Sequence, residues 1–316
     1  MSSSRIISAA LALCCLVVVA QSQTPKTAEQ YYNRAFARHN KGDLDGAITD
    51  LTKAIDLSSR LGEEKHPSDL KNNTSLSGAA SSFSGVRVLD PRTATVYAYR
   101  GLMRYKQKDF EGAIADCNQA LRINPRLPEA YNYRGLAWYD LREWEKAKTD
   151  FDRVVALDPR SADAYNNRAN TFAELGELGK SLADFDHALA LDSDNSQILH
   201  NRGQVRYRKG EIEGAWSDFN RAIKLNQGFP QGYYGRGLIL CDRMELDAAI
   251  VEFNRALEQD PTFILAVANR GLALLRQGKD TEAARDFEQA LQLDPSIKDS
   301  LDLHIKKVKE WRQGRR

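Results

Sequence analysis

The sequence has too little cysteine and too little excess charge for several common protein classes. Four cysteines in 316 residues do not supply the dense crosslinks of a disulfide scaffold. Lys plus Arg number 45 and Asp plus Glu number 43, so there is no large basic excess to neutralise a nucleic acid backbone. We therefore expect neither a disulfide-stapled domain nor a nucleic acid partner.

Catalytic and metal-binding motifs are also missing from the sequence. The five histidines are scattered, and no two of them have the spacing of metal ligands. The triplet Gly179-Lys180-Ser181 is similar to the end of a phosphate-binding loop, but Glu174 stands where that loop needs a glycine. We therefore predict no catalytic residue, no metal site, no cofactor and no small-molecule substrate.

One apolar run, from Ile6 to Ala20, follows the positive charge of Arg5. It is shorter than the about 20 residues that a membrane-spanning helix needs, and small residues precede Gln21. We therefore predict a signal peptide at residues 1–20 that is cleaved near Ala20, with export to the periplasm or the cell exterior. The alternative is a retained signal that anchors the chain to a membrane.

A 34-residue period runs through most of the remaining chain. Positions 8 and 20 of each repeat are small, position 24 is Phe in five repeats, and apolar residues recur at helical spacing. This pattern predicts two amphipathic helices per repeat. The seven repeats are 28–57 plus 90–93 (repeat 1), 94–127 (repeat 2), 128–161 (repeat 3), 162–195 (repeat 4), 196–229 (repeat 5), 230–263 (repeat 6) and 264–297 (repeat 7).

These columns resemble the tetratricopeptide repeat (TPR), which shares the length of 34, the small residues at positions 8, 20 and 27, an aromatic at position 4 and a proline at position 32. The resemblance covers residues 28–297. It implies an all-α, right-handed superhelical solenoid of antiparallel helix pairs, whose concave groove is lined by the first helix of each pair.

Position 15 of each repeat falls between its two helices. It is Gly42, Gly176, Gly210 or Gly278 in four repeats, where a helix end favours a left-handed residue. Lys108, Arg142 and Met244 occupy this position in the other three repeats. We expect those three turns to have a different geometry.

Every repeat carries an arginine at position 7 and an acid at position 23. Because a feature of every repeat belongs to the scaffold, we predict a ladder of partly buried ion pairs that fixes the register of the two helices. The predicted pairs are Arg34 with Asp50, Arg100 with Asp116, Arg134 with Asp150, Arg168 with Asp184, Arg202 with Asp218, Arg236 with Glu252, and Arg270 with Asp286.

Two segments depart from the repeat. Residues 58–89 are rich in serine and poor in large apolar residues, so we predict an insertion that is a mobile loop, with partner recognition or regulation as its functional interpretation. Residues 298–316 predict a C-terminal capping helix and a basic tail. Cys117 and Cys241 lie in distant repeats, so we interpret both as free core thiols.

By the same resemblance, positions 2, 5, 9 and 13 face the groove. Its middle is rich in amides, which both donate and accept hydrogen bonds and therefore suit the backbone of an extended peptide. The resulting interpretation is an exported adaptor or scaffold that binds a partner protein or peptide; the alternatives are a membrane-associated envelope assembly factor and an enzyme with a site in the groove. The predicted groove residues are Tyr32, Phe36, Asn132, Asn166, Asn170, His200, Gln204, Arg208 and Tyr234.

Overall fold

The computed structural model describes residues 25–64 and 91–314. These residues fall into two compact halves that divide after Leu157. Helices, one short 3-10 turn and brief connections account for these ranges, and no β-strand occurs in them. The predicted signal peptide, residues 65–89 of the predicted insertion and residues 315–316 lie outside the described residues. The prediction of an all-α TPR fold is confirmed.

The described residues of the N-terminal half form three helix pairs in chain order, and consecutive helices pack against each other. Because each turn within a pair is short, the two helices run antiparallel. The helices are α1 (Ala28–His39) with α2 (Leu44–Glu64), α3 (Pro91–Lys106) with α4 (Phe110–Ile123), and α5 (Pro128–Asp140) with α6 (Trp144–Leu157).

The C-terminal half contains four further pairs and a final single helix, α15 (Lys298–Gln313), which follows a 3-10 turn at Pro295–Ile297. Leu301 and Val308 bury one side of α15, as a capping helix requires. The pairs are α7 (Ala162–Glu174) with α8 (Leu178–Leu191), α9 (Ser196–Lys209) with α10 (Ile212–Leu225), α11 (Pro230–Asp242) with α12 (Leu246–Gln259), and α13 (Ile264–Gln277) with α14 (Asp280–Leu293).

The packing within a pair explains the small and aromatic columns of the sequence. A Cβ atom added to Gly135 would lie 2.8 Å from Cε1 of Phe151, and one added to Gly237 would lie 2.5 Å from Cε1 of Phe253. Position 8 therefore leaves room for the ring at position 24, so that the two helices meet closely. The rings at position 24 that are at most 1% exposed are Phe151, Phe185, Phe219 and Phe253.

The turns at position 15 correct one of our predictions. Lys108, Arg142 and Met244 have φ angles of 64°, 61° and 62°, and the four glycines at this position have φ angles of 78° to 85°. All seven residues are therefore left-handed, and the expected difference in turn geometry was wrong. Because packing of the two helices fixes the turn, three non-glycine residues are held in a strained conformation.

The described boundaries of the insertion also differ from the prediction. Helix α2 continues to Glu64, so residues 58–64 are helical and do not form a loop. The hydroxyls of Ser58 and Ser59 donate to the carbonyl oxygens of Ala54 and Ile55, one turn earlier, at 2.9 and 3.0 Å. Serine is thus accommodated inside the helix because its hydroxyl finds a backbone acceptor.

Helix α3 begins at Pro91, before the start of repeat 2 that the period predicts. We expected Asp90 and Pro91 to end repeat 1. Proline is instead tolerated in the first turn of a helix because its missing N–H has no intrahelical partner there. The helix therefore begins at the proline that we expected at the end of repeat 1.

Candidate functional site

The arginine and the acid of every repeat form the predicted pair. In six repeats the arginine donates from Nε and Nη2 to the two carboxylate oxygens of aspartate at 2.5–2.9 Å. In repeat 6, Arg236 donates from both nitrogens to Oε2 of Glu252. The acidic side chains are at most 11% exposed. Each pair therefore joins the two helices of one repeat through nearly buried carboxylates.

The third nitrogen of these arginines, Nη1, links neighbouring repeats. In five repeats it donates to a polar side chain at position 25 of the preceding repeat, and every repeat has a polar residue at that position. We did not predict this contact, although that polar column was its signal. The described contacts are Arg100 with Thr52 (3.0 Å), Arg134 with Asn118 (2.5 Å), Arg202 with Asp186 (2.6 Å), Arg236 with Asn220 (2.9 Å) and Arg270 with Asn254 (2.8 Å).

A second arginine, at position 11, shares the acid in three repeats. Arg38 lies 3.2 Å from Asp50, and Arg104 and Arg206 approach the corresponding acids at 3.1 and 2.8 Å. Each of these buried carboxylates, on the second helix, is thus contacted by two arginines from the first helix of its repeat. The ladder is a structural device, because its charges are engaged within the scaffold.

The predicted groove residues of the N-terminal half lie on α1 and α5. Phe36 is 51% exposed, and its ring stacks 6.2 Å from that of Tyr99 on α3. The ring of Tyr32 also packs against Tyr99, with the two ring centroids 5.6 Å apart. Burial raises the pKa of Tyr99 to about 12, so its hydroxyl stays protonated and hydrogen-bonds with His39 at 2.7 Å. Asn132 is half-buried on α5.

The groove residues of the C-terminal half form an amide-rich surface. Asn166 accepts a hydrogen bond from the side chain of Asn201 at 3.0 Å. Arg208 donates to the carbonyl oxygen of Ala173 at 3.0 Å and lies 3.8 Å from Glu174. The structure therefore places amides from two neighbouring repeats together. Four predicted residues lie half-buried or exposed on α7 and α9: Asn166, Asn170, Gln204 and Arg208.

His200 does not line an open groove. It is 4% exposed, because the rings of Phe219 and Phe229 pack against it at centroid distances of 5.6 and 5.7 Å. Its Nδ1 has no hydrogen-bond partner among the described residues. Burial lowers the pKa of His200 to about 4, so the imidazole is a neutral core group.

Tyr234, the corresponding residue of the next repeat, is 8% exposed and is also buried. The rings of Phe253 and Phe263 cover it at 6.0 and 5.2 Å. Repeats 5 and 6 are those with Phe at position 34, as Phe229 and Phe263. That aromatic residue covers position 5 of its own repeat, and it is the sequence signal by which this burial could have been predicted.

Neighbouring repeats also meet near the C-terminal ends of their first helices. There the side chain at position 12 of one repeat contacts the side chain at position 13 of the next, a relation that we term the 12/13 contact. It was not predicted, because it joins residues that vary between repeats. The described examples are His39 with Lys106 (2.8 Å), Tyr105 with Asp140 (2.8 Å) and Tyr207 with Asp242.

The described ranges contain no group of three or more His, Cys, Asp or Glu side chains that could hold a metal ion. Cys117 and Cys241 are free and buried, and burial raises their pKa values to about 12 and about 11. Both thiols are therefore neutral and unreactive at ordinary pH. Within the same ranges, no helix combines the length and apolar character needed to cross a membrane.

Paired helices with a 34-residue period and a ladder of ion pairs in every repeat define an α-helical repeat solenoid. The chain belongs to the tetratricopeptide repeat family. Models described as tetratricopeptide repeat or TPR repeat match residues 28–60, 69–128, 106–165, 162–195, 237–278 and 265–297. No curated protein matches the sequence.

Solved structures with the same fold share little sequence with this chain. A tetratricopeptide repeat protein from Parabacteroides merdae is 18% identical, with 88% of this chain and 98% of that chain covered and a TM-score of 0.66. The thermophilic TPR protein TTC0263 from Thermus thermophilus is 22% identical, with coverage of 58% and 99% and a TM-score of 0.51. The human IFIT1 dimer with m7Gppp-AAAA is 17% identical, with coverage of 92% and 75% and a TM-score of 0.58. At these identities the likeness establishes the fold alone.

Proposed function

We propose that this chain is an exported adaptor or scaffold that binds a partner protein, or an extended segment of one, on its first helices. The observation that carries the proposal is a division between register positions. The charges found in every repeat are engaged in the ladder, whereas the amides at positions 5 and 9, such as Asn166, Asn170 and Gln204, vary between repeats and reach solvent. Membership of the TPR family supports a protein-interaction scaffold.

The amides suit this role because each side chain both donates and accepts hydrogen bonds. An extended peptide presents alternating N–H and C=O groups, so amides can pair with its backbone without demanding one sequence. The aromatic cluster of Tyr32, Phe36 and Tyr99 offers a place for an apolar side chain. We propose no reaction and no nucleic acid or cofactor for this surface.

The test is a pull-down from envelope and secreted fractions with the chain from Gln21 onward as bait. A matched bait removes the amides, and a control bait removes four exposed polar side chains from the second helices. We expect a partner that is captured by the native and control baits and lost with the amide variant. The amide variant carries Ala at Asn132, Asn166, Asn170 and Gln204, and the control carries Ala at Gln119, Lys224, Gln259 and Gln292.

Circular dichroism of the three baits must show the same helical content, so that loss of capture reports recognition and not unfolding. A partner retained by the amide variant would move the binding surface away from α5, α7 and α9. If every captured partner behaves in that way, groove recognition is wrong.

The localisation has a separate test, because a retained signal would make the chain a membrane-associated envelope assembly factor. N-terminal sequencing of the native protein separates the two proposals. A start near Gln21 in a soluble fraction supports export. A start at the original N-terminus in the membrane fraction supports the anchored alternative.

A further inference from the structure

The 12/13 contact is a hydrogen bond in the three described examples given above. The two side chains at these positions in repeats 6 and 7 form no described hydrogen bond, and we call this 12/13 contact open. The residues at these positions are Cys241 and Arg276. A thiol is a weak hydrogen-bond acceptor, and burial raises the pKa of Cys241 to about 11, so no thiolate forms to balance the arginine. Among the described residues, Arg276 has neither an ion pair nor a hydrogen bond.

Asp242 is the one acidic residue among those that line the same cleft, and it forms no described ion pair with Arg276. Asp242, which follows the cysteine, accepts a hydrogen bond from the hydroxyl of Tyr207 in the preceding repeat. In repeat 5 the arginine at the same position, Arg208, donates a hydrogen bond to the backbone carbonyl of Ala173 and pairs with Glu174. Arg276 therefore differs from its counterpart because it presents an unused guanidinium.

This guanidinium lines a cleft of about 350 Å³ at the end of the array. Helix α15 supplies the opposite wall, and an ion pair between Arg312 and Asp280 holds the last turn of α15 against the start of α14. Met244, which is 42% exposed, adds an apolar edge. The lining residues that matter here are Cys241, Asp242, Met244, Arg276, Lys307 and Trp311.

The charge and shape of the cleft select one kind of ligand. Arg276 and the exposed Lys307 supply two cations against one carboxylate, Asp242, so the lining carries a net positive charge. A guanidinium matches a carboxylate in two parallel hydrogen bonds, and a nearby ammonium adds a point charge. The indole of Trp311 and the thioether of Met244 suit an adjoining apolar side chain.

We infer that this cleft binds a carboxylate carried by an acidic partner segment, with an apolar side chain beside it packed on Trp311. The inference rests on the proposed function, because it names the chemistry of one part of a bound partner. The carboxylate takes the place that a position-12 side chain fills in repeats 1, 2 and 5. Its binding thus completes a contact that the chain leaves open.

The probe is a pair of capped tripeptides, acetyl-Leu-Glu-Leu-amide and acetyl-Leu-Gln-Leu-amide, titrated to millimolar concentration. The chain has four tryptophans, so the indole N–H of Trp311 is one of four NMR signals and is assigned with Trp311→Phe. We expect the glutamate peptide to shift this signal and the glutamine peptide to shift it little. Because a hydrogen bond to a charged group is lost, Arg276→Gln should weaken binding at least about tenfold.

Two further variants separate the proposed pairing from a general loss of charge. Arg285→Gln removes one positive charge from α14, away from the cleft lining, and should leave the titration unchanged. Cys241→Asp places a carboxylate opposite Arg276 and should close the contact from within, so that the glutamate peptide no longer binds. Circular dichroism must show native helical content for both variants before their titrations are compared, because Cys241 is buried in the core.

Equal shifts with the two peptides would reduce the cleft to an apolar contact and overturn the proposal. Undiminished binding to Arg276→Gln or to Cys241→Asp would also overturn it. If inorganic phosphate shifts the Trp311 signal and the glutamate peptide does not, the carboxylate assignment is wrong. A partner that is captured by the amide groove although the peptides fail would leave the proposed function standing and remove this cleft from it.

Discussion

The strained turns at position 15 predict opposite stability effects for similar substitutions. Arg142 has a φ of 61° and an exposed side chain, so Arg142→Gly relieves backbone strain without removing a buried contact. A left-handed non-glycine residue costs about 1–2 kcal/mol, and the greater freedom of glycine in the unfolded chain offsets roughly 0.5–1 kcal/mol of this gain. We therefore expect the free energy of unfolding to rise by about 0.5–1 kcal/mol.

Two alanine substitutions in repeat 4 provide the matched test. A Cβ added to Gly176, at φ 79°, or to Gly179, inside α8, meets no atom within 4 Å. Packing is therefore the same for both, and only the backbone conformation differs. Gly176→Ala should lower the free energy of unfolding by about 1 kcal/mol, and Gly179→Ala should raise it by up to about 1 kcal/mol.

The assay is urea unfolding followed by circular dichroism at 222 nm, with the midpoints of the three variants compared with that of the native chain. Repeat proteins do not always unfold in one step, so the slopes must agree before midpoints are converted to free energies. A lower midpoint for Arg142→Gly would refute the strain argument. The same sign for both alanine variants would refute it as well.

Three further predictions concern the ladder and the core. Asp150→Asn should destabilise the chain by about 3 kcal/mol or more in urea unfolding, because it leaves the partly buried Arg134 without a charge partner, and the further change Arg134→Met should recover part of this loss. Burial lowers the pKa of His200 to about 4, so the unfolded chain binds the proton first as the pH falls below about 6.5. The native chain should therefore lose roughly 3 kcal/mol of stability between pH 6.5 and 4, compared with His200→Phe. Parallel pH profiles of stability for the two chains would contradict this prediction. Gly237→Ala should lower the thermal midpoint through a loss of about 1–3 kcal/mol, because its Cβ would lie 2.5 Å from Phe253, and an unchanged midpoint would show that the ring moves freely.

The periodic part of the sequence was sufficient to predict the helix pairs and the partners of the ladder. Small residues, rings and charges recur in the same columns because the two helices of every repeat pack in the same way. Gly135 and Phe151 illustrate this packing. Lys108, Arg142 and Met244 misled the prediction for the opposite reason. Local preference favours another turn for these residues, but the packing of the two helices overrides it.

The insertion and the groove show where a column-by-column interpretation fails. The serine-rich composition predicted a loop from residue 58, although Ser58 and Ser59 bond to the preceding helical turn and let α2 continue. His200 and Tyr234 occupy a position that faces the groove in the general pattern. Their burial depends on a second column, position 34, whose aromatic residues had to be considered together with them.

The two sets of contacts between repeats place different demands on the sequence. The ladder joins every helix pair and engages its arginines on at least two sides, so a change at Arg134 or Asp150 disturbs the scaffold itself. The 12/13 contact is made by residues that vary, and it lies at the ends of the first helices, where a partner has access. A change at position 13, such as one at Arg276, alters a residue that lines the cleft and lies outside the buried core. We therefore expect binding specificity in this chain to be set by the 12/13 contacts and the amide positions, and its stability to be set by the ladder.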